Sequence, residues 1–170
     1  MTGEALGQQI KEKLEEKFGA NSCKLEQHYD FPVFIVNKKD IIPILEFLKN
    51  EESCGFSYLT TMCGTHFPDA NAELEFSLMY QLHNMERNHR IRLKIFMPKS
   101  DLVVPTLTEV YPAANWMERE AYDFYGFHFA GHPNLKRILN MDEMNYHPMR
   151  KEYPLEDGTR HDKEDKYFGR

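Results

Sequence analysis

The sequence contains no long apolar run, and its three cysteines lack the spacing of a ligand set. The longest apolar stretches, residues 31–36 and 41–48, are far shorter than the ~20 residues of a membrane-spanning helix. The first residues have neither the basic nor the apolar region of a signal peptide. Cys23, Cys54 and Cys63 form no CxxC pair, which argues against a disulfide framework and against an iron–sulfur site. We therefore expect a soluble cytoplasmic polypeptide.

The sequence also lacks the common motifs of nucleotide binding and hydrolysis. It contains no GxGxxG, phosphate loop, GxSxG or HExxH. The net charge is −6, from 21 basic and 27 acidic residues, whereas a nucleic-acid-binding domain needs a basic face. Charges of both signs are interspersed, so no patch for anionic lipid stands out. The sequence therefore predicts no nucleic-acid partner and no direct membrane contact.

The chain is rich in aromatic residues, with 12 Phe and 9 Tyr, and is long enough for one domain with a buried core. Apolar residues recur at helical spacing over residues 5–18. Asp40 is a plausible N-cap for a second helix that continues through Asn50. A third helical pattern covers residues 105–125 and is interrupted at Pro112. These patterns predict helices at both ends of the domain.

Strand patterns occupy the middle of the chain. They cover residues 25–36, as a pair around a turn, and residues 56–62, 74–82 and 91–97. In the last two segments apolar and polar residues alternate, which indicates one buried face, one wet face and an antiparallel sheet. We predict an α+β fold, with a mainly antiparallel sheet of about four to five strands, flanking helices and an extended C-terminal strap.

The C-terminal part of the chain differs in composition from the rest. Residues 141–170 hold eight acidic and six basic residues and few aliphatic ones. Such a segment has too little apolar surface to order itself. We therefore predict a core domain over residues 1–139 and a C-terminal strap, residues 140–170, that orders on a partner subunit.

Charge is concentrated in one helical segment, where Glu118, Arg119, Glu120 and Asp123 lie among aromatic residues. Charges buried in such surroundings must be paired, bound to a metal or held against another protein. Arg119 and Asp123 are four residues apart and could form an ion pair on one helix face. Glu120 and Asp123 are three apart and could act as an acid–base pair. We favour the structural interpretation over catalysis.

Two histidines raise the alternative of a metal site. His128 and His132 are four residues apart, but glycines and a proline around them indicate a loop. No third ligand has a recognisable spacing. A free-standing small metal-dependent hydrolase that uses these histidines with Glu120 and Asp123 is a remote alternative.

A second compact cluster covers residues 147–154. Two prolines bracket charged and aromatic residues there, which favours an extended segment with free backbone donors. Tyr146, Met149 and Tyr153 are large groups to leave in water. We therefore interpret the cluster as anchors for a partner's groove, and the alternative is a solvated loop.

The two clusters together resemble the signature of the thirty-kilodalton subunit family of respiratory complex I, which in bacteria is the C subunit of NADH:quinone oxidoreductase. Glu-Arg-Glu, Asp, His, Lys and Ile-Leu follow one another at the family's spacing from Glu118 to Leu139, and the His-Pro and Arg-Lys-Glu-Tyr-Pro steps resemble its tail. The residues that carry this resemblance, as signature and interface positions, are Glu118, Arg119, Glu120, Asp123, His132, Lys136, Arg137, His147, Pro148, Arg150, Lys151, Tyr153 and Pro154.

The resemblance implies a non-catalytic subunit of a proton-translocating NADH:quinone oxidoreductase. FMN, iron–sulfur clusters and quinone would be bound by other subunits, and no catalytic, cofactor-binding or metal residue is assigned to this chain. The main partner would be the forty-nine-kilodalton-type D subunit, with the B and I subunits nearby. Arg137, Arg150 and Lys151 would contact acidic groups of the neighbour. The chain would lie at the cytoplasmic face of a bacterial membrane and meet the membrane only through the complex.

The same family also occurs in relatives of complex I. An equivalent subunit of a membrane-bound hydrogenase, or of a ferredoxin- or coenzyme F420-dependent dehydrogenase, is therefore an open alternative, because the electron donor binds other subunits.

Overall fold

The computed structural model describes residues 3–29 and 31–153 of the 170-residue chain. Its three α-helices are α1 (Gly3–Phe18), α2 (Ile41–Asn50) and α3 (Ala114–Tyr125), and short 3-10 helices cover Lys38–Asp40 and Ala72–Leu74. Helix α1 confirms the periodicity of residues 5–18, and α2 confirms the second predicted helix; each buries an apolar stripe. The buried residues of these two stripes are Leu6, Ile10 and Leu14 in α1 and Ile41, Ile44, Leu45 and Leu48 in α2.

Five strands form the main sheet: β1 (Cys23–His28), β2 (Phe31–Val36), β3 (Tyr58–His66), β4 (Phe76–Asn84) and β5 (His89–Met97). Their order across the sheet is β1-β2-β5-β4-β3. All pairs are antiparallel except β2 with β5, which is parallel. The prediction of an α+β fold with a mainly antiparallel sheet is therefore confirmed.

One face of this sheet forms the core. Alternate residues of β4 and β5, such as Leu78, Tyr80, Leu82 and Leu93, have no exposed surface, as the alternating pattern predicts. The alternating pattern over residues 74–82 also predicts Leu74 on this face, but Leu74 lies in a 3-10 helix before β4 and is 42% exposed.

The helical prediction for residues 105–125 is wrong in its first half. Residues Val103–Pro105 form a short strand, β6, which pairs in parallel with β7 (His128–Ala130), and α3 begins only at Ala114. Pro112 explains this, since a proline inside the predicted helix lacks the backbone donor that a helix interior needs. The result is a β6–α3–β7 unit in which α3 packs beside β3.

Gly126 ends α3 in a left-handed conformation with φ 81°, which glycine adopts without strain. A Cβ atom at this position would lie 2.5 Å from Nη2 of Arg150 and 2.6 Å from Nε2 of His147. The glycine therefore lets residues of the C-terminal segment approach the end of α3.

The C-terminal segment over residues 140–153 lies against the chain's own core. It has no helix or strand, but its backbone and side chains bond to the end of α3 and to His66 of β3. The boundary at residue 139 and the ordering of the strap on a partner stay predictions. Pro154, the last predicted interface residue, lies outside the described residues.

Candidate functional site

Asp123 is the centre of the charged cluster and has no exposed surface. Its Oδ1 accepts hydrogen bonds from Arg137 Nη1 at 2.6 Å and from Asn140 Nδ2 at 3.0 Å. Its Oδ2 accepts from the backbone N–H groups of Ile138, Leu139 and Asn140 at 3.1, 2.8 and 2.9 Å. Five donors use the acceptor capacity of a carboxylate, so Asp123 organises residues 137–140 and has no free oxygen for chemistry.

The donors around Asp123 also set its protonation. Burial alone would raise the pKa of this carboxyl, but the hydrogen bonds from Asn140, Leu139 and Arg137 together hold the pKa well below its ordinary value. Asp123 is therefore an anion at neutral pH.

Arg137 is the ion-pair partner of Asp123, and the predicted pair of Arg119 with Asp123 is wrong. The Arg137 guanidinium also donates to the carbonyl groups of Met144 and Tyr146 at 2.6 and 2.8 Å, and its side chain is only 8% exposed. It thus connects α3 to the C-terminal segment. The predicted contact of Arg137 with an acidic neighbour stays a prediction, but its guanidinium is already used within the chain.

Arg119 instead fixes the chain that leads to Arg137. Its Nε and Nη2 donate to the carbonyl groups of Lys136 and Arg137 at 3.1 and 3.0 Å. The guanidinium lies 5.2 Å from the ring centroid of Trp116, a distance at which a cation and an aromatic face attract. Arg119 therefore supports the loop that Asp123 organises.

Glu118 is a second carboxyl group without exposed surface. Its Oε1 accepts from the Leu107 N–H and its Oε2 from the Thr106 hydroxyl, both at 2.6 Å. Burial raises the pKa of Glu118, although the bonds from Thr106 and Leu107 and the nearby His132 act in the opposite direction. This carboxyl group ties α3 to the segment after β6.

His132 lies beside Glu118 with its side chain fully buried, and the distance from Nε2 to Glu118 Oε2 is 3.9 Å. Its Nδ1 accepts from the Asn134 N–H at 3.0 Å, so Nε2 carries the hydrogen and donates to the Asn115 carbonyl at 3.1 Å. Both ring nitrogens are thereby used in holding the loop after β7 to the start of α3.

The last carbonyl groups of α3 accept from the C-terminal segment. His147 Nδ1 donates to the Asp123 carbonyl at 3.0 Å, and Arg150 Nε donates to the Tyr125 carbonyl at 2.7 Å. These groups have no partner within a helix, and a cation such as Arg150 also interacts favourably with the helix dipole. Burial lowers the pKa of His147. The second cluster thus caps α3.

The remaining predicted residues lie near the surface. Exposed side chains are those of Glu120, Lys136, Lys151 and Tyr153, and Pro148 is half-buried. The backbone N–H of Lys151 donates to His66 Nδ1 at 2.9 Å. These positions remain predicted interface residues.

The structure does not assemble the alternative metal site. Within residues 3–29 and 31–153, no three side chains of His, Cys, Asp or Glu are grouped so that they could hold a metal ion. Asp123 and His132 are each engaged as described, whereas Glu120 and His128 are exposed. Likewise, within these ranges no helix has the length and apolarity to cross a membrane.

Sequence reasoning missed three residues that complete the cluster. Thr106 and Asn140 donate to Glu118 and Asp123, and His66 accepts from Lys151. None of the three lies at a helical or strand spacing from its partner. The contacts are 12, 17 and 85 residues apart in sequence, so no local pattern could have indicated them.

The raised pKa of Glu118 predicts a measurable pH dependence. The folded state binds this proton more tightly than the unfolded chain, whose glutamates titrate near pH ~4.3. The free energy of unfolding is therefore expected to fall as pH rises from about 4.3 through the folded-state pKa, by at most about 1.4 kcal/mol per pH unit. Glu118→Gln should remove this contribution, as urea titrations at pH 5, 6, 7 and 8 would show. Parallel pH profiles of wild type and Glu118→Gln would contradict the role given to Glu118. The matched control is Glu120→Gln, at an exposed position of α3.

Comparison with known proteins identifies relatives of this chain. The family described as "Respiratory-chain NADH dehydrogenase, 30 Kd subunit" matches residues 34–159. A relative from Trichlorobacter lovleyi is 38% identical over 145 residues, covering 85% of this chain and 88% of the relative. One from Nocardioides sp. is 39% identical over 122 residues, covering 72% of this chain. Both are named as the C subunit of NADH-quinone oxidoreductase. The chain matches about half the length of the second relative, 48%.

Two solved structures share the fold. One is the trypsin-resistant fragment of Nqo5, with a TM-score of 0.61 and 25% identity over 74% of this chain and 99% of the fragment. The other belongs to the membrane-bound sulfane sulfur reductase, an archaeal respiratory membrane complex, with a TM-score of 0.72 and 27% identity over 88% of this chain and 86% of that one. Because the family match spans most of the chain and agrees with these relatives, the chain belongs to the 30 Kd subunit family of the respiratory-chain NADH dehydrogenase, which includes the C subunit of NADH-quinone oxidoreductase.

Proposed function

We propose that the chain is a structural subunit of the quinone-reducing module of a proton-translocating NADH:quinone oxidoreductase. The family match over residues 34–159 carries this proposal. In this complex, electrons would pass from NADH through FMN and iron–sulfur clusters to quinone, all of which are bound by other subunits. This chain contributes to assembly and to the shape of the peripheral arm.

The geometry of the charged cluster supports a structural role. Asp123 accepts five hydrogen bonds from its own chain, and both oxygens of Glu118 are also bonded. A general base needs a free oxygen within reach of the substrate proton. The signature acids instead hold residues 106–107 and 137–140 against α3. We call this assembly of α3 and the two segments the platform, and its role is structural.

Exposed side chains of the C-terminal segment favour a surface for a partner protein beside this platform. Several large apolar side chains between residues 139 and 153 are exposed, and in a soluble protein such a set marks an interaction site. They are Leu139 at 66%, Met141 at 70%, Tyr146 at 39%, Met149 at 39% and Tyr153 at 36% exposure. The proposed main partner is the forty-nine-kilodalton-type D subunit, with the B and I subunits as further neighbours. The complex would then lie at the cytoplasmic face of the cell membrane, and this chain would reach the membrane only through it.

A second candidate is the equivalent subunit of a related respiratory complex with another electron donor or acceptor, such as a membrane-bound hydrogenase or a ferredoxin- or coenzyme F420-dependent dehydrogenase. The favouring observation is the similarity to the sulfane sulfur reductase complex, with a TM-score of 0.72. Both candidates give the chain the same structural role, because the donor would bind other subunits.

A pull-down separates these candidates. The tagged chain is purified in mild detergent from its native membranes, and the co-purifying subunits are identified by mass spectrometry. We expect a forty-nine-kilodalton-type subunit together with NADH-binding and quinone-module subunits. Recovery with other donor-binding subunits would support the second candidate. Recovery of the chain alone, with stoichiometric metal or hydrolase activity, would overturn both.

A further inference from the structure

An open groove lies at the β3 end of the main sheet. Its volume is about 740 Å³, and its lining includes Phe67 and Leu74 from the β3–β4 connection, Phe96 and Lys94 from β5, and Lys151 from the C-terminal segment. Phe67 and Leu74 are 37% and 42% exposed. The groove therefore presents apolar surface to solvent between two lysines.

His66 joins the two parts of the chain that form this groove. Its ring stacks on Phe76 with centroids 4.3 Å apart and is almost fully buried. Nδ1 accepts the Lys151 N–H at 2.9 Å, so Nε2 carries the hydrogen and lies 3.3 Å from the Glu75 carboxylate. The position of Lys151 beside the sheet is therefore fixed by its backbone, and the groove is built by the fold.

The two lysines carry positive charge that the described part of the chain does not neutralise. Lys94 Nζ lies 5.2 Å from the Phe67 ring centroid and 4.7 Å from that of Phe96, and it forms no ion pair among residues 3–29 and 31–153. The Lys151 ammonium likewise has no carboxylate partner there. Asp69 also lines the groove but pairs with neither lysine. Glu75 is engaged with His66.

We propose that this groove binds a segment of a neighbouring subunit that carries an apolar side chain next to carboxylates. The apolar side chain would pack on Phe67, Leu74 and Phe96, and the carboxylates would pair with Lys94 and Lys151. Exposed aromatic surface beside two cations that have no carboxylate partner among residues 3–29 and 31–153 is complementary to such a segment. This inference rests on the proposed function, because it requires a complex of which the chain is one subunit.

Site-specific photo-crosslinking in the assembled complex tests the proposal. A photoreactive phenylalanine analogue replaces Phe67, and a control analogue replaces Tyr29, which is 96% exposed at the turn before β2. We expect position 67 to crosslink to one segment of another subunit, with acidic residues within a few positions of the crosslink. The double substitution Lys94→Glu and Lys151→Glu should reduce that crosslink at least ~5-fold. Lys17→Glu with Lys39→Glu, which makes the same change in net charge at exposed sites outside the groove lining, should leave it unchanged.

Three results would overturn the inference. These are a crosslink from position 67 to residues 154–170 of the same chain, no crosslink to another subunit although the complex is recovered, or a partner crosslink that the lysine reversals leave unchanged. Far-UV circular dichroism of each variant checks folding, and Lys94→Gln with Lys151→Gln provides a milder pair with an intermediate expected loss. If the wild-type chain is recovered without other subunits, the proposed function itself is wrong, and the inference fails with it.

Discussion

Replacing Asp123 with alanine is expected to lower the free energy of unfolding by about 3–5 kcal/mol, the range for removing one partner of a buried ion pair. The substitution leaves the Arg137 guanidinium, which is 8% exposed, without its anion. It also leaves three successive backbone N–H groups, from Ile138 to Asn140, without an acceptor. Chemical denaturation of the isolated chain measures the effect.

The matched control is Glu120→Ala on the same helix. Glu120 is exposed, so its substitution should change the free energy of unfolding by no more than about 0.5 kcal/mol. Equal effects of the two substitutions would contradict the role given to Asp123.

The difference between wild type and Asp123→Ala should also depend on pH. The hydrogen bonds hold the folded-state pKa of Asp123 below the value of about 3.9 in an unfolded chain. The carboxylate therefore stabilises the fold above that pH, and the stabilisation is lost as pH falls through the folded-state pKa. The two proteins should become more similar in stability below about pH 4.

Two truncations are expected to separate assembly from folding. If the strap orders only on a partner subunit, as predicted, a chain ending at Tyr153 should match the full chain in its free energy of unfolding, while the amount of assembled complex should fall several-fold. A chain ending at Asn145 also loses the caps from His147 and Arg150 on α3, so both quantities should fall.

Native gel electrophoresis of detergent extracts and urea titration of the purified chains provide the two measurements. Arg150→Ala gives a point-substitution version of the chain ending at Asn145, because it removes the bond to the Tyr125 carbonyl. Normal assembly of the chain ending at Tyr153, with slower turnover of the complex, would argue against a structural role for residues 154–170 and would favour a direct catalytic one.

The sequence predicted the parts of the fold that depend on local patterns. The stripe of α1 and the alternation of β4 and β5 are set by residues a few positions apart, and both elements are present. The error over residues 105–113 has a local cause, since Pro112 interrupts a helix. The parallel pairing of β2 with β5 was not predictable in the same way, because it depends on which edge of β2 the chain returns to.

The candidate site likewise has features that local sequence patterns predict and contacts that they do not. The dense charge around α3 indicated that its members must be paired, and its motif resembled the family to which the chain belongs. The partners themselves were not readable from spacing. Arg119 is four residues from Asp123, as an ion pair in a helix requires, yet the structure pairs Asp123 with Arg137, which lies beyond the end of the helix. A helix spacing shows only which contacts are possible, and burial against a loop decides among them.

The sequence by itself therefore determined most of the helices and strands, the resemblance to the family and the need for the charges of α3 to be paired. These follow from hydrophobic periodicity, from the spacing of the signature and from the free-energy cost of burying charge. Only the tertiary structure decided that Asp123 gathers residues 137–140, that the C-terminal segment caps α3, and that Lys94 and Lys151 meet at one groove. Those arrangements join residues that are distant in the chain, and their geometry exists only once the sheet and the helices have packed.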